Sequence, residues 1–128
     1  MLYRNFDSCI LVFDKTNKES FNECKEYFSE TIREKCKNDL KVILVGNKID
    51  LEENIKVSYE EAANFAFKND YIYIETSCVR NENIFEAFEK IIGLAYLEYS
   101  KSRGKKIIIN EIKEKKNFSM KLLKYYSY

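Results

Sequence analysis

The stretch KVILVGNKID, residues 41–50, places four consecutive apolar residues before a glycine and a polar segment. A continuous apolar run without alternation is typical of a strand that is buried on both faces of a parallel sheet. Two further runs of strand-forming residues, SCILVF at 8–13 and YIYI at 71–74, have the same character. The sequence therefore predicts three buried strands, at residues 8–13, 41–45 and 71–74.

Segments with helical periodicity follow each predicted strand. Thr16 or Asn17 can cap the first helix, and Ser58, with Glu61 three residues later, forms a capping box for the second. Asn83 is the predicted cap of the third. The apolar positions are Phe21, Cys24, Phe28 and Ile32 in the first helix, and Ile84, Phe85, Phe88, Ile91, Ile92 and Ala95 in the third. The alternation predicts an α/β fold in which three parallel strands alternate with three helices.

The scarce residue types exclude several kinds of site. The chain has 128 residues, enough for one domain, and is 45% apolar and 34% charged. It has no His, which excludes an imidazole-activated nucleophile and an imidazole metal ligand. Its three Gly, at 46, 93 and 104, cannot form a glycine-rich phosphate loop. The four Cys form no C-x-x-C pair, so reduced thiols in a cytoplasmic protein are expected.

Charge divides the chain into two parts. Residues 101–128 contain nine Lys and Arg against two Glu, so residues 1–100 are acidic although the net charge is +1. We therefore expect a domain at 1–100 and a basic tail, helical or disordered, at 101–128. Ile and Leu alternate with Lys in the tail, which leaves two interpretations open: a weak contact with an anionic membrane surface, or a solvated extension of the last helix. No nucleic-acid partner is expected.

Polar residues with the chemistry of base recognition follow the second and third predicted strands, at the strand ends where open parallel sheets bind ligands. The Asp50 carboxylate can accept two hydrogen bonds, from the ring N–H and the exocyclic amine of guanine, a donor pair that adenine lacks. The aliphatic stem of Lys48 can lie over a base, and Asn47 can tie the loop together. Ser77, after the third strand, can hold Asp50 in place.

The order of these motifs resembles the Ras superfamily of small GTPases, most of all the Rab branch. The matching stretches are Tyr3–Asn5, Ser8–Asp14, Asn17–Phe21, Ile43–Leu51, Glu75–Ser77 and Asn83–Phe85. The resemblance implies that Asn47, Lys48 and Asp50 recognise the guanine of GTP or GDP. It also implies the family's role in vesicle trafficking and signalling.

The resemblance places Ser77, Cys78 and Val79 in a second guanine loop, where the family usually has Ser-Ala-Lys. Cys78 in place of Ala should be tolerated, because the family makes this contact through the backbone. Val79 replaces the Lys that usually covers the base, so one contact is lost. Arg80 is either a substitute for that Lys or a solvated turn residue.

The family's catalytic motifs have no counterpart in these residues. There is no G-x-x-x-x-G-K-[ST], no switch Thr, no Asp-x-x-Gly and no water-orienting Gln, so the resemblance begins at the fourth strand of the family fold. We therefore expect weak nucleotide binding through the guanine half, no intrinsic hydrolysis and no catalytic residue. Magnesium is expected for the family, but its ligands are missing here.

Two alternatives remain open at this point. The chain is either a non-catalytic interaction module, with a protein partner on the open strand edge near Ser8–Phe13, or the truncated product of a complete GTPase gene. The last cysteine is Cys78, so the C-terminus offers none for lipidation. The expected location is the cytoplasm, peripherally at membranes.

Overall fold

A computed structural model describes residues 8–27 and 40–102 of the chain. In this part of the chain, strands and helices alternate as the sequence predicted. In chain order the elements are β1 (Ser8–Asp14), α1 (Lys18–Tyr27), β2 (Lys41–Asn47), a short 3-10 turn (Glu52–Asn54), α2 (Tyr59–Lys68), β3 (Ile72–Glu75) and α3 (Ile84–Ser102). Phe28, Ile32 and nearly all of the tail at 101–128 lie outside the described residues.

The three strands form one parallel sheet in the order β1-β2-β3. The predicted α/β class and the three parallel strands are therefore confirmed. The register pairs Asp14 with Asn47 and Gly46 with Glu75, so the carboxyl ends of all three strands lie at one edge of the sheet. β2 continues two residues beyond the predicted end at Val45, and β3 is displaced by one residue from 71–74.

The apolar runs lack alternation because both faces of the sheet are covered. On one face, Leu44 of β2 packs with Phe21 of α1 and Ala62 of α2. On the other face, Ile43 of β2 packs with Ile91 of α3. β2 is the central strand and its residues 42–46 are all buried, which explains why the sequence could show no polar alternation there.

Two of the predicted caps are present and the third is wrong. The Asn17 side chain accepts from Glu19 N at 2.9 Å, and Ser58 Oγ accepts from Glu61 N at 3.1 Å. Asn83 has φ 56°, which is not the extended backbone of an ordinary N-cap. Its side-chain amide instead donates to the backbone oxygen of Glu75 at 2.9 Å, which ties the start of α3 to the end of β3.

The predicted apolar side of α3 is only partly buried. Ile91 packs on the sheet together with Ala87, a residue the sequence did not single out. Phe85 and Phe88 are exposed, and Ile92 is 65% exposed. The small side chain of Ala87 allows the helix to approach the sheet, and the larger residues consequently lie on one flank of the helix.

A buried ion pair lies beneath the carboxyl ends of the strands. The Lys15 ammonium, only 5% exposed as a residue, pairs with the Glu75 carboxylate. The Tyr73 hydroxyl donates to Glu75 Oε1 at 2.8 Å. Burial and the neighbouring carboxylate raise the pKa of Tyr73. The cluster joins β3 to the residue that follows β1, because a buried cation is tolerated only when it is paired.

Candidate functional site

Two loops meet at the carboxyl ends of β2 and β3. We name residues 47–51 the first loop and residues 76–83 the second loop. Backbone bonds join them: Thr76 N donates to Gly46 O at 2.9 Å, and Ile49 N donates to Thr76 O at 3.3 Å. The parallel register brings the loops together, since it ends both strands at the same edge.

Asn47 connects the first loop to the second. Its Oδ1 accepts from Thr76 Oγ1 at 3.1 Å and from Cys78 Sγ at 3.6 Å. Its backbone oxygen accepts from Lys15 N at 3.0 Å, beyond the end of β1. Asn47 therefore joins segments that follow all three strands.

The Asp50 carboxylate is oriented from the second loop. Ser77 is fully buried, and its hydroxyl donates to Asp50 Oδ1 at 2.6 Å. The same hydroxyl accepts from Arg80 N at 3.0 Å, so both its donor and its acceptor function are used. A carboxylate held in this way presents a fixed acceptor pair, as recognition of a planar base edge requires.

Lys48 has an unusual backbone and a fixed ammonium group. Its φ is 68°, in the left-handed region. Its Nζ lies 2.6 Å from Asp14 Oδ2, at the end of β1. Burial tends to raise the Asp14 pKa, but hydrogen bonds from Lys48 and Thr16 outweigh it, and the pKa is lowered. The hydrogen bond to Asp14 raises the pKa of Lys48, so the lysine stays charged.

The remaining predicted residues lie on the outer part of the second loop. Cys78 is exposed, and Val79 is 86% exposed. The Arg80 guanidinium contacts Glu52 Oε1 at 3.2 Å and the backbone oxygen of Asp50 at 3.4 Å. Arg80 is a turn residue with a half-exposed side chain, which agrees with the second of the two roles considered for it, and its bond to the Asp50 carbonyl also ties it to the first loop.

The structure brings together Asn47, Lys48, Asp50, Ser77 and Cys78, whereas the Val79 side chain is 86% exposed. Their function stays a prediction. Sequence reasoning did not identify the contacts made by Thr76 and Asp14. Both residues stand at strand ends in the sequence, so a search of every strand end for partners of the first loop would have found them.

The assembled groups suit recognition of a neutral heterocycle rather than coordination of a metal. An acceptor carboxylate, an amide and a hydroxyl converge, and a lysine stem lies beside them. Within residues 8–27 and 40–102, no group of three or more His, Cys, Asp or Glu side chains is placed to hold a metal ion. We accordingly assign no metal ligand in these loops.

A family model described as the Ras family matches residues 1–96. The chain belongs to the Ras family. Relatives in this family include the Ras-related protein R-Ras of Mus musculus, 37% identical over 83 residues, which are 65% of this chain and 38% of the relative. The Ras-related protein Rab-4 of Dictyostelium discoideum is 38% identical over 88 residues, 69% of this chain and 42% of the relative.

The Ras-related protein Rab-11C of Dictyostelium discoideum is 34% identical over 94 residues, which are 73% of this chain and 42% of Rab-11C. The Ras-family resemblance, including its Rab-like character, is thus confirmed, with R-Ras proteins similar to the same degree. The chain spans about two fifths of the length of these relatives. None of the helices in the described part of the chain is both long and apolar enough to cross a membrane.

Proposed function

We propose that the two loops form the guanine-binding part of a Ras-family nucleotide site. The observation that carries this proposal is the Asp50 carboxylate, held by Ser77 at 2.6 Å in a loop that Asn47 joins to Thr76. Asp50 accepts from the ring N–H and the exocyclic amine of guanine, and the stem of Lys48 covers one face of the base. Backbone groups of the second loop, next to Cys78 and Val79, meet the guanine carbonyl.

The proposed activity of these 128 residues is weak binding of GDP and GTP without hydrolysis. The sequence contains no phosphate loop and no water-orienting Gln, and the family's tight binding depends on phosphate and magnesium contacts. GTP hydrolysis with magnesium, and a role in vesicle trafficking, are proposed only for a protein that also carries those parts. This proposal rests on membership of the Ras family together with the base-recognition loops.

A competition titration tests guanine binding. A fluorescent GDP is bound to the purified chain and displaced by unlabelled GDP, ADP or guanosine. We expect GDP and guanosine to compete and ADP to compete at least about tenfold less well, because ADP cannot donate two hydrogen bonds to Asp50. Equal competition by ADP would contradict guanine recognition. Tight binding that is indifferent to magnesium would contradict the claim that affinity requires the phosphate half.

A second candidate function is strand pairing at the outer edge of β1. Among the described strands, β1 pairs only with β2, so its outer edge has no strand partner in this part of the chain. Two backbone groups of that edge are bonded to side chains of α1: Asp14 N donates to Ser20 Oγ, and Val12 O accepts from Cys24 Sγ. Val12, 57% exposed, is the register partner of Val45, which packs with α3, so Val12 lies on the face of the sheet that α3 covers. More than half of each relative's length has no match in this chain. We therefore propose that the occupant is an extended strand of Ras-family sequence from outside these 128 residues.

Co-expression tests the occupant of the edge. The chain is produced with the part of Rab-4 that lies outside the matched 88 residues, and the two are isolated by a tag on one of them. We expect a complex with protected β1 amides in hydrogen exchange, weakened at least about tenfold by Val12→Lys, since a buried unpaired charge is costly. Phe67→Lys, at an exposed residue of α2, is the matched control and should have no effect. Self-association without the segment would identify a second copy as the occupant instead.

We also propose a weak, salt-sensitive contact between the basic tail and anionic membrane surfaces. The nine Lys and Arg of residues 101–128 supply the charge, and the interspersed Ile and Leu supply the apolar area. This contact would make the protein a cytoplasmic one that associates peripherally with membranes.

A further inference from the structure

Asp14 is fixed more firmly than an exposed ion pair requires. Its Oδ1 accepts from Thr16 N at 2.8 Å and from Thr16 Oγ1 at 2.7 Å. Its backbone N–H donates to Ser20 Oγ at 3.0 Å, within α1. These bonds hold the carboxylate at the junction of β1 and α1, with Oδ2 directed to the Lys48 ammonium at 2.6 Å.

Two carboxylates are available to pair with Lys48. Asp14 is hydrogen-bonded to it, and Asp50 stands two residues further along the first loop. An ammonium paired with Asp50 would occupy an oxygen that guanine requires and would neutralise the acceptor. Pairing with Asp14 avoids this, because Asp14 lies across the register from Asn47, on the neighbouring strand.

We propose that Asp14 is a positioning residue for base selectivity: by holding the Lys48 ammonium at the end of β1, it leaves the Asp50 carboxylate available to the exocyclic amine of guanine. The Lys48 side chain is also held at both ends. Its backbone lies in the first loop, after β2, and its ammonium pairs with Asp14 at the end of β1, so the side chain spans the ends of two strands. The inference rests on the proposed guanine site, and it concerns a residue outside both guanine loops.

The first experiment needs no nucleotide and follows the Asp50 carboxyl carbon by NMR. Lys48→Met is made in the wild-type background and in the Asp14→Asn background. Asn keeps an oxygen for Thr16 but no longer attracts the ammonium. We expect Lys48→Met to shift the Asp50 signal at least about twofold more in the Asp14→Asn background, because Lys48 then pairs with Asp50. Equal shifts in the two backgrounds would overturn the inference, whether or not the chain binds guanine.

The second experiment measures selectivity as the ratio of GDP to IDP affinity. IDP lacks the exocyclic amine, so the ratio reports acceptance by Asp50 and is insensitive to a general loss of fold. We expect Asp14→Asn to reduce the ratio roughly tenfold, about the value of one hydrogen bond to a charged group, and Asp14→Glu to restore most of it. Adding Asp14→Asn to Lys48→Met should change nothing further. An unchanged ratio in Asp14→Asn, or additive effects of the two substitutions, would refute the inference.

Glu86→Gln is the matched control for both experiments. It removes the carboxylate of a surface ion pair, Glu86–Lys90 at 2.8 Å, in the first turn of α3 and outside the two loops. Neither the Asp50 signal nor the GDP to IDP ratio should respond to it. Failure of every nucleotide to bind would reject the proposed function, and the NMR comparison would still decide whether Asp14 keeps Lys48 from Asp50.

Discussion

Asp50→Ala is expected to reduce the affinity for GDP by about 100-fold. The substitution removes an acceptor that meets two base donors at once, and a bidentate pair of this kind contributes roughly 1–3 kcal/mol. It also leaves the buried Ser77 hydroxyl without its acceptor. The measurement is displacement of fluorescent GDP from the full chain, with circular dichroism to show that the fold persists.

Asp50→Asn is a sharper test of the same contact, because it should change which base the site prefers. An Asn side chain accepts from the ring N–H but donates where guanine also donates, so guanine is disfavoured. Xanthine carries a carbonyl at that position and can accept from the amide. We expect the preference to change from guanosine to xanthosine diphosphate by more than about tenfold.

Asp70→Asn is the matched control for the Asp50 variants. Asp70 is an exposed residue between α2 and β3, at the end of the sheet opposite to the two loops. Its substitution should leave both affinities unchanged. Retention of the guanine preference in Asp50→Asn, with Asp70→Asn behaving as wild type, would show that Asp50 does not contact the base.

The sequence predicted what depends on local patterns. β2 was predictable because a run of four apolar residues is typical of a strand that is covered on both faces. The start of α2 was predictable because the Ser58 side chain caps the helix by accepting a hydrogen bond from Glu61 N, only three residues away. The convergence of the first and second loops followed from parallel topology alone. Placement of Asp50 near Ser77 required no more than the rule that parallel strands end at one edge.

What the sequence could not predict depends on register and on backbone geometry. The Lys48–Asp14 pair joins residues 34 positions apart and exists because the register sets Asp14 opposite Asn47. The residue type of Asn83 predicts a helix cap, but an Asn also tolerates a left-handed φ and can then donate to the backbone oxygen of Glu75. The exposed flank of α3 could not be predicted. Helical periodicity shows which residues share an apolar side of the helix, but it does not show how that side is oriented relative to the sheet.

Gly46→Ala is expected to lower the free energy of unfolding by about 1–3 kcal/mol, the usual cost of forcing extra volume into a packed interior. A Cβ at this position would lie 2.6 Å from the Tyr73 hydroxyl and 3.1 Å from both Lys15 Cγ and Phe13 Cζ. The hydroxyl cannot simply move away, because it donates to Glu75 and its ring stacks on Phe13. Urea unfolding followed by circular dichroism measures the change.

Gly93→Ala is the matched control, because nothing lies within 4 Å of the added Cβ. In the interior of α3 this substitution should stabilise the chain by about 0.5–1 kcal/mol, through the better helix propensity of Ala. Opposite signs for the two Gly→Ala substitutions would show that Gly46 is required for packing and not for chain flexibility. Equal stabilisation by both would contradict the close packing beneath β2.

Tyr73→Phe separates the clash with the Tyr73 hydroxyl from the other effects of the methyl group that Gly46→Ala adds. In the Tyr73→Phe background the nearest atom is gone and the next nearest contacts are the two at 3.1 Å, so Gly46→Ala should cost less than half as much. The consequence reaches the site, since Gly46 O accepts from Thr76 N and the next residue is Asn47. Gly46→Ala should therefore also weaken GDP binding, and Tyr73→Phe should restore it. Recovery of stability without recovery of binding would show that the first and second loops do not depend on the packing beneath them.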